Sequence, residues 1–193
     1  MRKNIFIILS AFFIVTSIAN CKKEPPKLDM FPELGGDFTL TDQDGKNFNL
    51  KDLRGKAVIL FFGYTNCPDV CPITLAKIGA AYKKLGDSAD GVKTLFITLD
   101  PERDNSQKIK KYLSYFSYGP IGLTGRLEDI VKVTGLFKVL FVKRLTGNTN
   151  GYLFDHSTAA FLIDTKGRVR HLFGQNDRAD TMATVIKVLL KQG

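Results

Sequence analysis

Metal-binding side chains are scarce in this chain: its 193 residues include three cysteines and two histidines. A closed structural zinc site normally takes four ligands. With Cys21 set apart at the end of an N-terminal apolar stretch, neither a third cysteine nor a clear carboxylate offers itself beside Cys67 and Cys71 to complete one. Basic blocks are missing as well. Lysine and arginine outnumber aspartate and glutamate 28 to 19, but they are spread out and cluster only as pairs such as Lys22-Lys23, Lys83-Lys84, Lys110-Lys111 and Lys143-Arg144. This pattern fits solvated helix faces and argues against nucleic-acid binding. The net positive surface would still attract an acidic protein or an anionic membrane. The chain also shows no internal repeat and no low-complexity tract. What remains is an ordinary globular composition, 44% hydrophobic and 24% charged, long enough for one domain with extensions.

The first 21 residues form a targeting segment. Arg2 and Lys3 precede an apolar stretch from Ile5 to Ile18, which is shorter than the roughly 20 residues that a spanning helix needs. It ends in Ile18-Ala19-Asn20-Cys21, which resembles the lipobox of bacterial lipoproteins with Cys21 as the acylated residue. Asn20 stands where Gly, Ala or Ser is usual. An uncleaved signal anchor is the alternative. Both readings place the protein outside the cytoplasm, on the periplasmic side of a membrane. Residues 22–32 are charged and contain three prolines, as a tether does. Residues 33–193 form the domain.

If Cys21 carries the lipid, Cys67 and Cys71 are an even pair in an oxidising compartment. They lie in Cys67-Pro68-Asp69-Val70-Cys71-Pro72, after an apolar run and at the start of a helical pattern. Thiols four residues apart are one helical turn from each other, so they can share a soft metal ion or close a disulfide. Both chemistries use the thiolate, which a helix N-terminus favours. A disulfide at this spacing would close a very small loop and remove little chain entropy. The pair therefore has a functional rather than a structural role. Asp69 is placed for local hydrogen bonding at the helix start, and Pro72 fits the first helical turn.

Periodicity predicts the remaining elements. Phe38–Leu40 and Asn47–Leu50 form a hairpin around Asp44-Gly45. Ala57–Gly63 is a buried central strand, Ile73–Leu85 a helix stopped by Gly86, and Val92–Leu99 a strand. Ser106 caps a helix reaching about Phe116, Ile121–Leu123 is a short strand, and Leu127 to about Phe137 is a third helix. Lys143–Gly151 is polar and glycine-rich, as expected of a mobile loop. Thr158–Asp164 and Arg168–Phe173 form a second hairpin, and a helix from Arg178 to Lys191 follows. The order predicts an α/β fold: a thioredoxin-like central sheet flanked by helices, with an N-terminal β-hairpin and a C-terminal hairpin and helix.

Chemistry in such sheets gathers beyond the carboxyl ends of the parallel strands. Cys67 and Cys71 follow one of these strands, and Asp100-Pro101-Glu102 follows the next. Asp155-His156-Ser157 precedes the strand at Thr158, so it joins the same edge if that strand runs antiparallel. Two thiolates and the His156 imidazole suit Cu(I) and can also hold Cu(II). Asp155 or Asp100 is expected to orient His156, Asp100 having loop capping as an equal alternative. His171 lies inside the last hairpin and is expected to be structural.

Three motifs occur in order: Cys67-Pro68-Asp69-Val70-Cys71-Pro72 after a strand, Asp100-Pro101-Glu102-Arg103-Asp104, and Tyr152-Leu153-Phe154-Asp155-His156-Ser157. Together they closely resemble the Sco/SenC family of copper-binding, membrane-attached thioredoxin-like proteins, from about Pro32 to the C-terminus. The resemblance implies that Cys67, Cys71 and His156 are copper ligands. It also implies that the partner is subunit II of cytochrome c oxidase or another copper-accepting protein. There the family delivers copper to, or reduces the cysteines of, the binuclear copper centre. The leading reading is thus a copper chaperone, a binding protein rather than an enzyme. The alternative is an extracytoplasmic thiol–disulfide oxidoreductase in which Cys67 and Cys71 are catalytic. Against it, thioredoxin-type redox sites use a two-residue spacer and this one has three.

Overall fold

The computed structural model describes residues 28–147 and 151–192. The expected targeting segment, Cys21 and most of the tether lie outside them. Nine strands and four helices follow in chain order: β1 (Thr39–Asp42), β2 (Asn47–Asn49), β3 (Ala57–Gly63), α1 (Val70–Leu85), β4 (Val92–Thr98), α2 (Ser106–Leu113), β5 (Ile121–Thr124), α3 (Leu127–Leu136), β6 (Phe141–Leu145), β7 (Tyr152–His156), β8 (Ala160–Ile163), β9 (Val169–Phe173) and α4 (Ala179–Gln192). Seven strands form one sheet in the order β2-β1-β5-β4-β3-β8-β9. Its centre is parallel, β3 pairing with β4 and β4 with β5, while β8 runs antiparallel to β3. The fold is thioredoxin-like α/β, as the sequence implies.

The central strand shows why its residues are apolar throughout. Successive side chains point to opposite faces, and both faces of β3 are covered. Ala57, Ile59 and Phe61 join a core with α1, α2 and α4. Val58, Leu60 and Phe62 join a second core that includes Ile130, Val133 and Phe137 from and just after α3. A strand buried on both sides has no polar face to alternate with.

Several expectations change. Helix α1 starts at Val70 rather than Ile73. The cap of α2 is Asn105, whose side chain accepts from the Lys108 N–H, while Ser106 Oγ donates to the Asp42 carbonyl. Asp69 makes no side-chain cap bond; its carbonyl accepts from the Ile73 N–H. Leu28 is buried and the Phe31 N–H bonds the Val169 carbonyl, so the chain packs on the body before residue 33. The largest change concerns Lys143–Gly151. Its first part is not loop: Lys143–Leu145 ends β6, which pairs antiparallel with β7 in a separate two-stranded sheet, while residues 148–150 of the expected loop lie outside the described residues. No helix among the described residues is long and apolar enough to cross a membrane.

Candidate metal centre

Three segments meet beyond the carboxyl ends of β3 and β4. The first is the turn from β3 into α1. Its position is fixed by Asp104, which is fully buried and accepts from the Thr65 N–H (2.8 Å), the Thr65 hydroxyl (2.5 Å) and the Thr98 hydroxyl (2.8 Å). Lys108 stands 3.2 Å from it as counter-charge, since a buried carboxylate is costly without a partner. This anchor holds Thr65 two residues before Cys67. Cys67 is half-buried ahead of α1, and Cys71 is buried in its first turn.

The second segment is β7, which carries His156. Because β8 runs antiparallel to β3, the chain just before β8 arrives at the end where the cysteines lie. His156 Nε2 is 3.7 Å from Cys71 Sγ, and Nδ1 is 2.9 Å from the Ser157 carbonyl. Nδ1–H donation to that carbonyl leaves Nε2 as the nitrogen facing the sulfurs. The three donor atoms lie within 4.8 Å of one another. Two ligands at bond lengths of about 2.3 Å from one ion are at most about 4.6 Å apart, so a small closure brings all three onto a metal. Among the described residues this is the one cluster of cysteine, histidine and carboxylate donors arranged in this way.

The two thiols differ electrically. Cys67 is held well below its usual pKa, chiefly by the hydrogen bond it receives from Cys71 and also by the Asp69 and Cys71 backbone N–H groups. The positive end of α1 thus receives the Cys67 anion. Cys71 is pushed up by the hydrogen bond it gives Cys67, by burial and by the Cys67 charge. The pair is a thiolate beside a protonated thiol.

The expected carboxylate partners of His156 are elsewhere. Asp155 pairs with Arg144 at 3.0 Å on the exposed side of β7. Asp100 receives Arg103 Nε at 2.5 Å and the Tyr152 hydroxyl at 2.8 Å, and its carbonyl accepts from the Arg103 and Asp104 N–H groups. Asp100 therefore takes the loop-capping role, and the Ser157 carbonyl orients the imidazole. His171 is half-buried on β9 with its ring 4.9 Å from that of Phe173, and burial lowers its pKa.

The third segment, Asp100–Asp104, holds the β7 arm. Tyr152 lies between Arg103 (3.6 Å to the ring centroid) and Lys143 (3.7 Å), and its hydroxyl donates to Asp100 at 2.8 Å with the Glu102 carboxylate 3.2 Å away. Tyr64, immediately after β3, also meets β7, at Phe154. In the sequence Tyr152 figures only as the first residue of the third motif and Tyr64 does not stand out, although its place just past the strand puts Tyr64 on the same edge as Cys67.

Gly63 allows the closest approach in the site. A Cβ there would stand 2.8 Å from Cys71 Sγ and 2.9 Å from the Phe96 ring. Gly63→Ala is expected to cost about 1–3 kcal/mol, as overpacking of a closed core does, and to weaken metal binding by displacing the Cys71 sulfur. A denaturant melt and a metal titration of the variant check both effects.

A family model described as SCO1/SenC matches residues 27–191. The chain belongs to the SCO1/SenC family. The SCO2-like protein of Rickettsia felis is 40% identical over 144 residues, 73% of this chain and 70% of that protein. The copper-bound structure of Bradyrhizobium japonicum ScoI aligns with a TM-score of 0.75 at 39% identity, covering 81% of this chain and 99% of that one. A SCO1/SenC family lipoprotein from Bacillus anthracis aligns with a TM-score of 0.69 at 29% identity, covering 86% and 98%.

Proposed function

We propose that this SCO1/SenC protein is a copper chaperone whose cargo is held by Cys67, Cys71 and His156. The observation that carries the reading is the convergence of two sulfurs and one imidazole nitrogen within 4.8 Å at the end of the sheet. Sulfur and imidazole are the donors that Cu(I) prefers, and the imidazole also serves Cu(II). The copper bound to the Bradyrhizobium japonicum relative supports it. Within the site, Cys67 offers a thiolate that the helix N-terminus has prepared. Cys71 gives up its proton as the metal arrives, and His156 presents Nε2. Copper then leaves by exchange onto the thiolates of a partner, for which we propose cytochrome c oxidase subunit II at its binuclear copper site. Attachment to the membrane through acylated Cys21, on the periplasmic side, completes the proposal, and the lipoprotein from Bacillus anthracis supports it.

A second reading rests on the asymmetry of the thiols. A low-pKa Cys67 beside a protonated Cys71 also suits an attacking thiol and a resolving thiol in disulfide exchange, including reduction of the partner's cysteines before metal delivery. Anaerobic copper titration of the reduced chain separates the two. One tightly held copper per chain is expected, and the absence of tight copper would leave the oxidoreductase.

A further inference from the structure

Among the described residues, the β6–β7 arm that carries His156 pairs with no strand of the main sheet. Beside the sulfurs it is fastened by Tyr64. The Phe154 N–H donates to the Tyr64 hydroxyl oxygen at 3.2 Å, and that hydroxyl lies 3.5 Å from the Phe154 carbonyl. The Tyr64 ring meets the Phe154 and His156 rings edge-on at 5.5 and 6.0 Å. Phe154 and His156 are two residues apart on one strand, so they share a face. Fixing the backbone at Phe154 fixes the height of His156 above the cysteines. The Cys67 N–H also donates to the Tyr64 carbonyl at 3.2 Å, so a single residue touches both segments that bear ligands.

We propose that Tyr64 is a positioning residue for the third ligand, its hydroxyl clamping the Phe154 backbone so that His156 Nε2 stays over the two sulfurs. The proposal rests on the reading of His156 as a ligand. Phenylalanine at this position would retain the ring contacts and the packing volume. It would leave the Phe154 N–H without its acceptor.

The test compares copper affinity of the full chain in detergent for the wild type, Tyr64→Phe, His156→Ala and the double variant. Tyr64→Phe is expected to bind about 10-fold more weakly, at the lower end of what removing a ligand-orienting partner costs. The double variant is expected to match His156→Ala alone, because a residue acting through His156 has nothing left to position. Wild-type affinity in Tyr64→Phe, or additive losses in the double variant, would overturn the proposal. An unchanged affinity in His156→Ala would instead bring down the ligand reading and this inference with it. Amide exchange at Phe154 in the wild type gives a readout that needs no variant. Copper is expected to slow it several-fold by closing the arm, and equal rates with and without copper would count against the clamp.

Discussion

His156→Ala is expected to weaken copper binding on the order of 100-fold or more, while the chain stays folded and the dithiol stays intact. The expectation follows from what each ligand contributes. Cys67 in the turn ahead of α1 and Cys71 in its first turn lie close enough to hold Cu(I) without help, so some affinity remains. The imidazole arrives from a separate two-stranded sheet and supplies the only nitrogen in the cluster. Losing a residue that merely orients a ligand costs about 10–100-fold, and losing the ligand should cost at least the upper end of that range. Cu(II) should suffer more than Cu(I), because two soft sulfurs satisfy the reduced ion better than the oxidised one. Competition titration with a chelator of known affinity reads out the loss, and the Cu(II) spectrum of the variant should lose its nitrogen coupling. If affinity is unchanged for both ions, His156 is not a ligand and the thiol oxidoreductase becomes the better reading.

The sequence made the core of the site legible, for physical reasons. A strand covered on both faces must be apolar throughout, so Ala57–Gly63 announced itself and located Cys67 and Cys71 at a sheet end. The proposed antiparallel direction of the strand near Thr158 brought His156 to that end, and the pairing of β8 with β3 agrees. The β6–β7 arm stayed hidden because its outer strand carries Lys143 and Arg144 and exposes Val142 and Leu145. No alternation of apolar and polar residues marks it. Its cohesion comes from backbone pairing and from the Phe141–Phe154 ring contact at 5.8 Å. The partners assigned to His156 failed for a related reason. Asp155 is its neighbour in sequence, but adjacent residues of a strand face opposite ways, and Asp155 meets Arg144 instead. Asp100 is held by Arg103, three residues further along. The roles of Tyr64, Tyr152 and Asp104 depend on contacts between segments 39 to 90 residues apart, which no local pattern records.

Oxidation of the Cys67–Cys71 pair is expected to abolish Cu(I) binding altogether. Forming the disulfide removes two protons and two electrons and brings the sulfurs to about 2.05 Å. Both sulfurs lose the thiolate character that a metal needs, so the site is left with His156 alone. A single imidazole is a weak holder of Cu(I), and the loss should exceed that of His156→Ala. The arrangement of charge suggests how the pair would be reopened or put to work. With Cys67 as thiolate, the hydrogen bond Cys71 gives it, burial and the Cys67 charge keep Cys71 protonated. Once the Cys67 thiolate has attacked a partner disulfide, breaking its S–S bond and releasing the other partner sulfur as a thiolate, that charge is gone, and His156 Nε2 stands 3.7 Å away to take the Cys71 proton. Cys71 can then attack Cys67 and release the partner as a thiol, which is disulfide exchange. The same three residues would therefore hold copper when reduced and pass electrons when not loaded, with oxidation as the boundary between the two activities. Anaerobic titration of the oxidised chain with Cu(I), before and after treatment with a thiol reductant that is then removed, checks the expectation. Stoichiometric binding before reduction would show that the sulfurs are not the ligands.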